Sequence, residues 1–184
     1  MSRPKHRAQP GATYFITTNT WQRRPVFQVA EIASIVEDAI FRYRDARKYL
    51  VHRYVVMPDH IHVILTPGNS TSIEKAVQLI KGGSSYVIGK AREGKFPAWH
   101  EGFTEHQIRD ARDFEAHMSY IDENPVKAHV KTPQKYLHGS ASGKFVLDPW
   151  PVASGAEAPE IAIVTAGLKP RPSKAPDDYG KAQD

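Results

Sequence analysis

The 184-residue sequence predicts one α+β domain, and three observations carry that expectation. Short runs rich in β-branched and aromatic residues alternate with longer runs whose apolar residues recur every three or four positions. Two of the short runs are separated only by Pro58 and Asp59, a turn signal that makes them antiparallel neighbours. A content of 40% hydrophobic and 24% charged residues is ordinary for a soluble globular chain.

The elements follow in order. Residues 13–20 hold Tyr14, Phe15, Ile16 and four threonines and read as a strand. Residues 29–45 place Ile32, Ile35, Val36, Ala39, Ile40 and Tyr43 at helical spacing. Residues 49–57 and 60–66 form the hairpin. Thr71 with Glu74 makes a capping-box pattern that opens a second helix carrying Ile73, Val77 and Ile80 inward. Gly82 and Gly83 are expected to interrupt or bend it. Residues 93–104 read as an aromatic loop with Phe96, Trp99 and Phe103, and residues 105–109 as a fourth strand. Asp110 caps a third helix with Phe114, Met118 and Ile121 as its apolar stripe, and Pro125 is expected to stop it after Asn124. The first six elements, β-α-β-β-α-β, form the ferredoxin-like split βαβ pattern of an antiparallel sheet, with one additional helix. The domain is expected over residues 13–149. It follows a basic arm at 1–12 with Arg3, Lys5 and Arg7 and precedes a Pro/Ala-rich, disordered tail at 150–184.

Composition excludes several chemistries. There is no Cys, which removes disulfides, thiolate-bound zinc and a cysteine nucleophile. No apolar run approaches the ~18–20 residues of a membrane span, and no signal-peptide core is visible, so a cytoplasmic location without membrane association is expected. The net charge of +5 and pI near 9.4 suit a polyanionic partner. The tail is close to neutral, so this charge belongs to the body.

Two features could carry chemistry. His60 and His62 stand two apart in a strand and so project to one face, where two imidazoles make half of a metal site. With nine histidines in the chain the pair alone is weak evidence, and two satisfied or solvent-facing side chains on an edge strand explain it slightly better. On the third helix, Tyr120 and Asn124 are one turn apart on one face beside the apolar stripe. A phenol and an amide are thereby offered together at the rim of the core.

Several motifs agree in order, spacing and residue type with one family. They are His60-Ile61-His62 after Met57-Pro58-Asp59, the run Trp99 to Phe103, Glu105 to Asp110, and Tyr120 followed by Asn124-Pro125-Val126-Lys127. Over roughly residues 10–140 the chain resembles the single-tyrosine transposases of the IS200 type, above all their REP-associated tyrosine transposase relatives. These belong to the HUH endonucleases, named for a His-hydrophobic-His pair. Pro10 to Thr17 and Trp21 to Pro25 resemble the family's first strand and following loop.

The resemblance implies roles. His60 and His62 correspond to the pair that binds a divalent metal, Mg²⁺ or Mn²⁺. Tyr120 corresponds to the nucleophile, and Asn124 to the polar residue completing the metal site in REP-associated members. The Gln typical of mobile-element members is absent. The Trp-Ser-Ser-like motif that members often carry is replaced by Tyr136-Leu137-His138-Gly139-Ser140. The implied function is a metal-dependent single-stranded DNA endonuclease and strand transferase, nucleoid-associated, that cleaves through a 5′-phosphotyrosine at hairpin-associated sites. Arg23, Arg24, Lys81, Arg109 and Lys127 are candidates for phosphate contacts, and Trp21, Trp99 and Phe103 for base stacking. His117, one turn before Tyr120, is a candidate base. A non-catalytic nucleic-acid-binding module and a water-using phosphohydrolase are the alternatives. Both monomer and homodimer are open.

Overall fold

The computed structural model describes residues 11–91, 97–128 and 132–150. Residues 1–10 and 151–184, on which the expectations for the arm and tail rest, lie outside these, as does Phe96. The elements are β1 (Tyr14–Asn19), α1 (Ala30–Asp45), β2 (Tyr49–Met57), β3 (His60–Pro67), α2 (Ile73–Ala91), β4 (Thr104–Gln107) and α3 (Ala111–Lys127). The four strands form one antiparallel sheet in the order β2-β3-β1-β4. This is the expected α+β, ferredoxin-like arrangement with α3 added.

Alternation along the strands divides the sheet into two faces. On one, Tyr14, Ile16, Tyr54, Val56, Ile61, Val63 and Leu65 meet Ile32, Val36 and Ile40 of α1 and Ile73, Val77 and Ile80 of α2. Each such side chain, fully buried, contributes roughly 1.5–3 kcal/mol of transfer free energy. On the other face, Val55, Met57 and Ile64 meet Ile121, with Phe15, Phe114 and Met118 packed against them. The apolar stripe read on α3 therefore seats that helix on the sheet face to which His60 and His62 point.

Three local expectations are corrected. The N-cap contact of α2 comes from Ser72, whose Oγ accepts the Lys75 N–H at 3.2 Å, one residue later than Thr71. Lys75 then occupies the position at which a capping box needs an acid. Gly82 and Gly83 neither interrupt nor end α2, which continues to Ala91. A Cβ on Gly83 would lie 2.7 Å from Cε2 of Tyr43, so this glycine lets α1 approach α2. Pro125 does not stop α3, which runs to Lys127. It sits in the last turn, where its missing N–H costs a single bond and only two helical residues follow it. Asn124 stays helical, and the Ala128 N–H closes on its carbonyl oxygen at 3.0 Å.

Residues 132–150 return across the free edge of β2. Gly139 bridges Val55, the Val56 N–H donates to the His138 carbonyl, and Ser140 Oγ bonds both the N–H and the carbonyl of Tyr54. The segment Tyr136–Ser140 thus covers an edge strand that would otherwise be open. Further on, Asp148 pairs with Arg44, and Trp150 stacks on Phe114 while its Nε1–H donates to Thr13 Oγ1.

Candidate active site

β3 leaves the Pro58–Asp59 turn and brings His60 and His62 to the α3 face, ring centroids 4.7 Å apart. The β1–β3 register sets Asn19 opposite His60 and Thr17 opposite His62. Thr17 Oγ1 lies 2.7 Å from His62 Nδ1, and Asp59 Oδ1 lies 2.6 Å from His60 Nδ1. Each imidazole thus has its Nδ1 engaged. If both Nδ1 atoms carry the proton, both Nε2 atoms offer lone pairs.

His62 is 5% exposed, and its Nε2 is buried without a hydrogen-bond partner. Burial pushes its pKa down to about 3, with the neighbouring charges of His60 and Arg23 acting in the same direction. It is neutral at physiological pH. A buried lone pair with no donor is costly unless something fills it, and a divalent cation meets that need. The residues present therefore fit a metal.

α3 brings Tyr120 over this pair. Its ring centroid is 5.2 Å from that of His62, and Phe15 meets the edge of Tyr120 at 5.9 Å while stacking on His62. Tyr120 is 42% exposed, so a long substrate can reach it. Asn124, one turn further, is 8% exposed. Arg53 of β2 binds Asp122 at 2.7 Å and ties the same turn of α3 to the sheet.

The candidate phosphate-binding side chains have different surroundings. Lys127 Nζ sits 5.1 Å from the centroid of the Tyr120 ring and pairs with Glu123. Arg23 follows β1 in a loop where Gln22 and Arg23 both adopt positive φ, a conformation disfavoured for residues with a Cβ. That turn folds its guanidinium back to Asn19 Oδ1 at 2.9 Å and to within 3.5 Å of Asp59. Arg23 is thereby at the lip of the histidine pair. Arg24 lies in the same loop, where its carbonyl accepts from Thr20 Oγ1. Lys81 donates to the carbonyls of His100 and Gly102 and holds down the loop before β4. Arg109 bonds the Asp113 carboxylate.

Of the stacking candidates, Trp99 is buried against Phe27 and donates to Ser84, which removes it from that role. Trp21 stacks with His100 near the surface, and Phe103 packs partly into the core. His117 donates from Nδ1 to the Asp113 carbonyl and touches Phe15.

Sequence reasoning missed Asp59, Thr17 and Phe15. Asp59 was legible as the residue before His60, but only the fold shows its carboxylate on Nδ1. Thr17 and Phe15 depend on strand register, which the sequence does not state.

An antiparallel sheet with paired histidines on a central strand, and a tyrosine helix laid across them, defines the HUH class of tyrosine DNA endonucleases. The family model described as IS200-like transposase matches residues 9–124, so the chain belongs to that family of enzymes. It is similar to the REP-associated tyrosine transposase of Escherichia coli (strain K12), 30% identical over 118 residues, 64% of this chain and 68% of the relative. A Haemophilus influenzae protein provisionally described in the same way is 26% identical over 139 residues, 64% of this chain and 79% of the relative. A solved structure of a REP-associated tyrosine transposase bound to a REP hairpin superposes with a TM-score of 0.63 at 25% identity. That match covers 88% of this chain and 96% of the other. Among the described residues, no helix is long and apolar enough to cross a membrane.

Proposed function

We propose that the protein cleaves and rejoins single-stranded DNA at hairpin-associated sites through a covalent 5′-phosphotyrosine at Tyr120. The observation that carries this reading is the partnerless, buried Nε2 of His62 on a ring whose centroid lies 5.2 Å from that of the exposed Tyr120. His60, His62 and Asn124 would hold a divalent metal, Mg²⁺ or Mn²⁺. When bound, such an ion polarises the scissile phosphate and offsets its developing charge.

The chain's own residues do the rest. Thr17 and Asp59 orient the imidazoles. Tyr120 Oη attacks phosphorus and loses its proton, the P–O3′ bond breaks, and the leaving oxygen takes up a proton as a free 3′-OH. The phosphotyrosine conserves the bond energy, so a 3′-OH can reverse the step and join a new strand. Lys127 and Arg23, on either side of the tyrosine and histidines, meet the phosphate chain, with Arg24, Arg109 and Lys81 further out. The hairpin preference is supported by the hairpin-bound relative and by the positive charge of the chain. Residues 13–149 form the catalytic unit in this reading, acting in the cytoplasm on the nucleoid.

The test is cleavage of labelled hairpin oligonucleotides carrying single-stranded flanks, with Mg²⁺, Mn²⁺ or EDTA. Metal-dependent cleavage of the flank, with protein attached to the 5′ phosphate of the downstream product and a free 3′-OH on the other, is expected. Binding without cleavage would favour a binding module. Cleavage that leaves both products protein-free would favour a water-using hydrolase.

A further inference from the structure

A second group of ligand-type side chains lies on the same sheet face, at the β4 edge. His106 stands opposite Phe15 in the β1–β4 register, and Asp113 and His117 are one turn apart on α3. The His106 and His117 rings stack with centroids 4.6 Å apart and planes 18° from parallel. His106 Nε2 is 2.9 and 3.1 Å from the two Asp113 carboxylate oxygens, and His117 Nδ1 is 3.1 Å from Oδ1. One ligand atom from each residue lies within 4.8 Å of the others. Phe15 separates this group from the first: its ring stacks on His62 at 5.2 Å and meets His117 at 4.7 Å.

We propose that His106, Asp113 and His117 form a second cation site, for a borderline transition-metal ion such as Zn²⁺, distinct from the site at His60 and His62. Two imidazole nitrogens and one carboxylate are a donor set such ions favour, and a fourth position stays open to water. The nitrogens that would bind the ion are the ones now turned on Asp113, so protons occupy the place a cation would take. The carboxylate supplies the compensating charge. Burial would raise its pKa, but hydrogen bonds from His106 and Arg109 take it down to about 2. Arg109 Nε, 3.3 Å from Oδ2, is on a side chain 75% exposed and can turn to solvent to admit the ion. His117 also bonds the Asp113 carbonyl at 2.8 Å and must give up that contact. Occupied, the site would join β4 to α3 three residues before Tyr120 and stiffen the helix that carries the nucleophile.

The test is Zn²⁺ titration calorimetry on the untagged full chain, comparing wild type with His106→Gln, His117→Gln and a His60→Gln/His62→Gln double variant. Wild type is expected to bind two equivalents. His106→Gln and His117→Gln each lose one, and the double variant keeps the one at His106. A single equivalent that survives both single substitutions and vanishes in the double variant overturns this proposal and leaves the first site standing. A single equivalent with the opposite pattern supports it and counts against the first site. Should a variant fail to fold by circular dichroism, anomalous scattering from a Zn²⁺-soaked wild-type crystal decides. A peak between His106 Nε2 and His117 Nδ1 is expected, and no peak there overturns the proposal.

Discussion

Thr17 Oγ1 lies 2.7 Å from His62 Nδ1 across the β1–β3 pair, in which the two residues stand directly opposite. The contact fixes which nitrogen of a neutral, buried imidazole faces the site. Partners of this kind typically contribute 10–100-fold to metal affinity. Thr17→Val keeps the shape of the side chain and removes the hydroxyl. Mn²⁺ binding to the His60–His62 site should weaken by about that factor, measured by titration calorimetry, with the thermal midpoint little changed. Unaltered affinity would show that strand packing alone orients the ring.

His62 also makes folding sensitive to acid. Its pKa is about 3 in the folded chain because of burial, against ~6.5 when unfolded. Between those values the unfolded chain binds a proton that the folded chain does not. Its contribution is therefore complete above ~6.5 and declines as pH falls toward 3. His52, held below its usual range by burial, acts in the same direction. One such proton gives about 1.4 kcal/mol per pH unit. In urea unfolding between about pH 5 and 6, above the usual carboxylate range, His62→Gln should flatten the slope by up to that amount. An unchanged slope would mean that His62 is solvated.

Arg23 and Lys81 should behave differently toward DNA. Arg23 is exposed at the lip of the histidine pair, whereas the Lys81 ammonium already serves two carbonyls. Arg23→Ala should weaken hairpin binding and lower the salt dependence of log Kd by about one. Lys81→Ala should change that slope less and instead lower the thermal midpoint by loosening the loop before β4. Equal slopes for Arg23→Ala and wild type would remove Arg23 from the DNA path.

The glycine pair in α2 gives a stability test. No atom lies within 4 Å of a Cβ built on Gly82, so Gly82→Ala should stabilise the protein by about 1 kcal/mol through helix propensity. Gly83→Ala meets Tyr43 and should fall short of that gain or reverse it. Chemical denaturation of both variants checks this. Equal gains would mean that Tyr43 moves aside freely.

Much of this architecture was legible because local signals agreed. The β-rich runs of β2 and β3 around the Pro58–Asp59 turn, the helical spacing of α1 and the Asp110 cap each point to the element that forms. The capping residue of α2 was misplaced by one position because Ser72 and Thr71 are both competent, and only the geometry chooses. Gly83 misled because its cost is set by a neighbour far along the chain, and Pro125 because its cost depends on where the helix ends. Tyr43 accounts for the glycine, and the final helical turn tolerates the proline. His60, His62 and Tyr120 were readable from spacing and family likeness. Thr17 and Phe15 were not, because nothing in the sequence states the register in which β1 meets β3.

In the proposed reaction Tyr120 attacks beside a metal held by His60 and His62. Covalent trapping tests it most directly. Labelled hairpin DNA is incubated with Mn²⁺ and wild-type, Tyr120→Phe or His60→Ala protein, then resolved on a denaturing gel. A protein–DNA band is expected with wild type and absent from both variants, while Tyr120→Phe still binds the hairpin within a few-fold of wild type. Cleavage, or an adduct, that persists in Tyr120→Phe would contradict it.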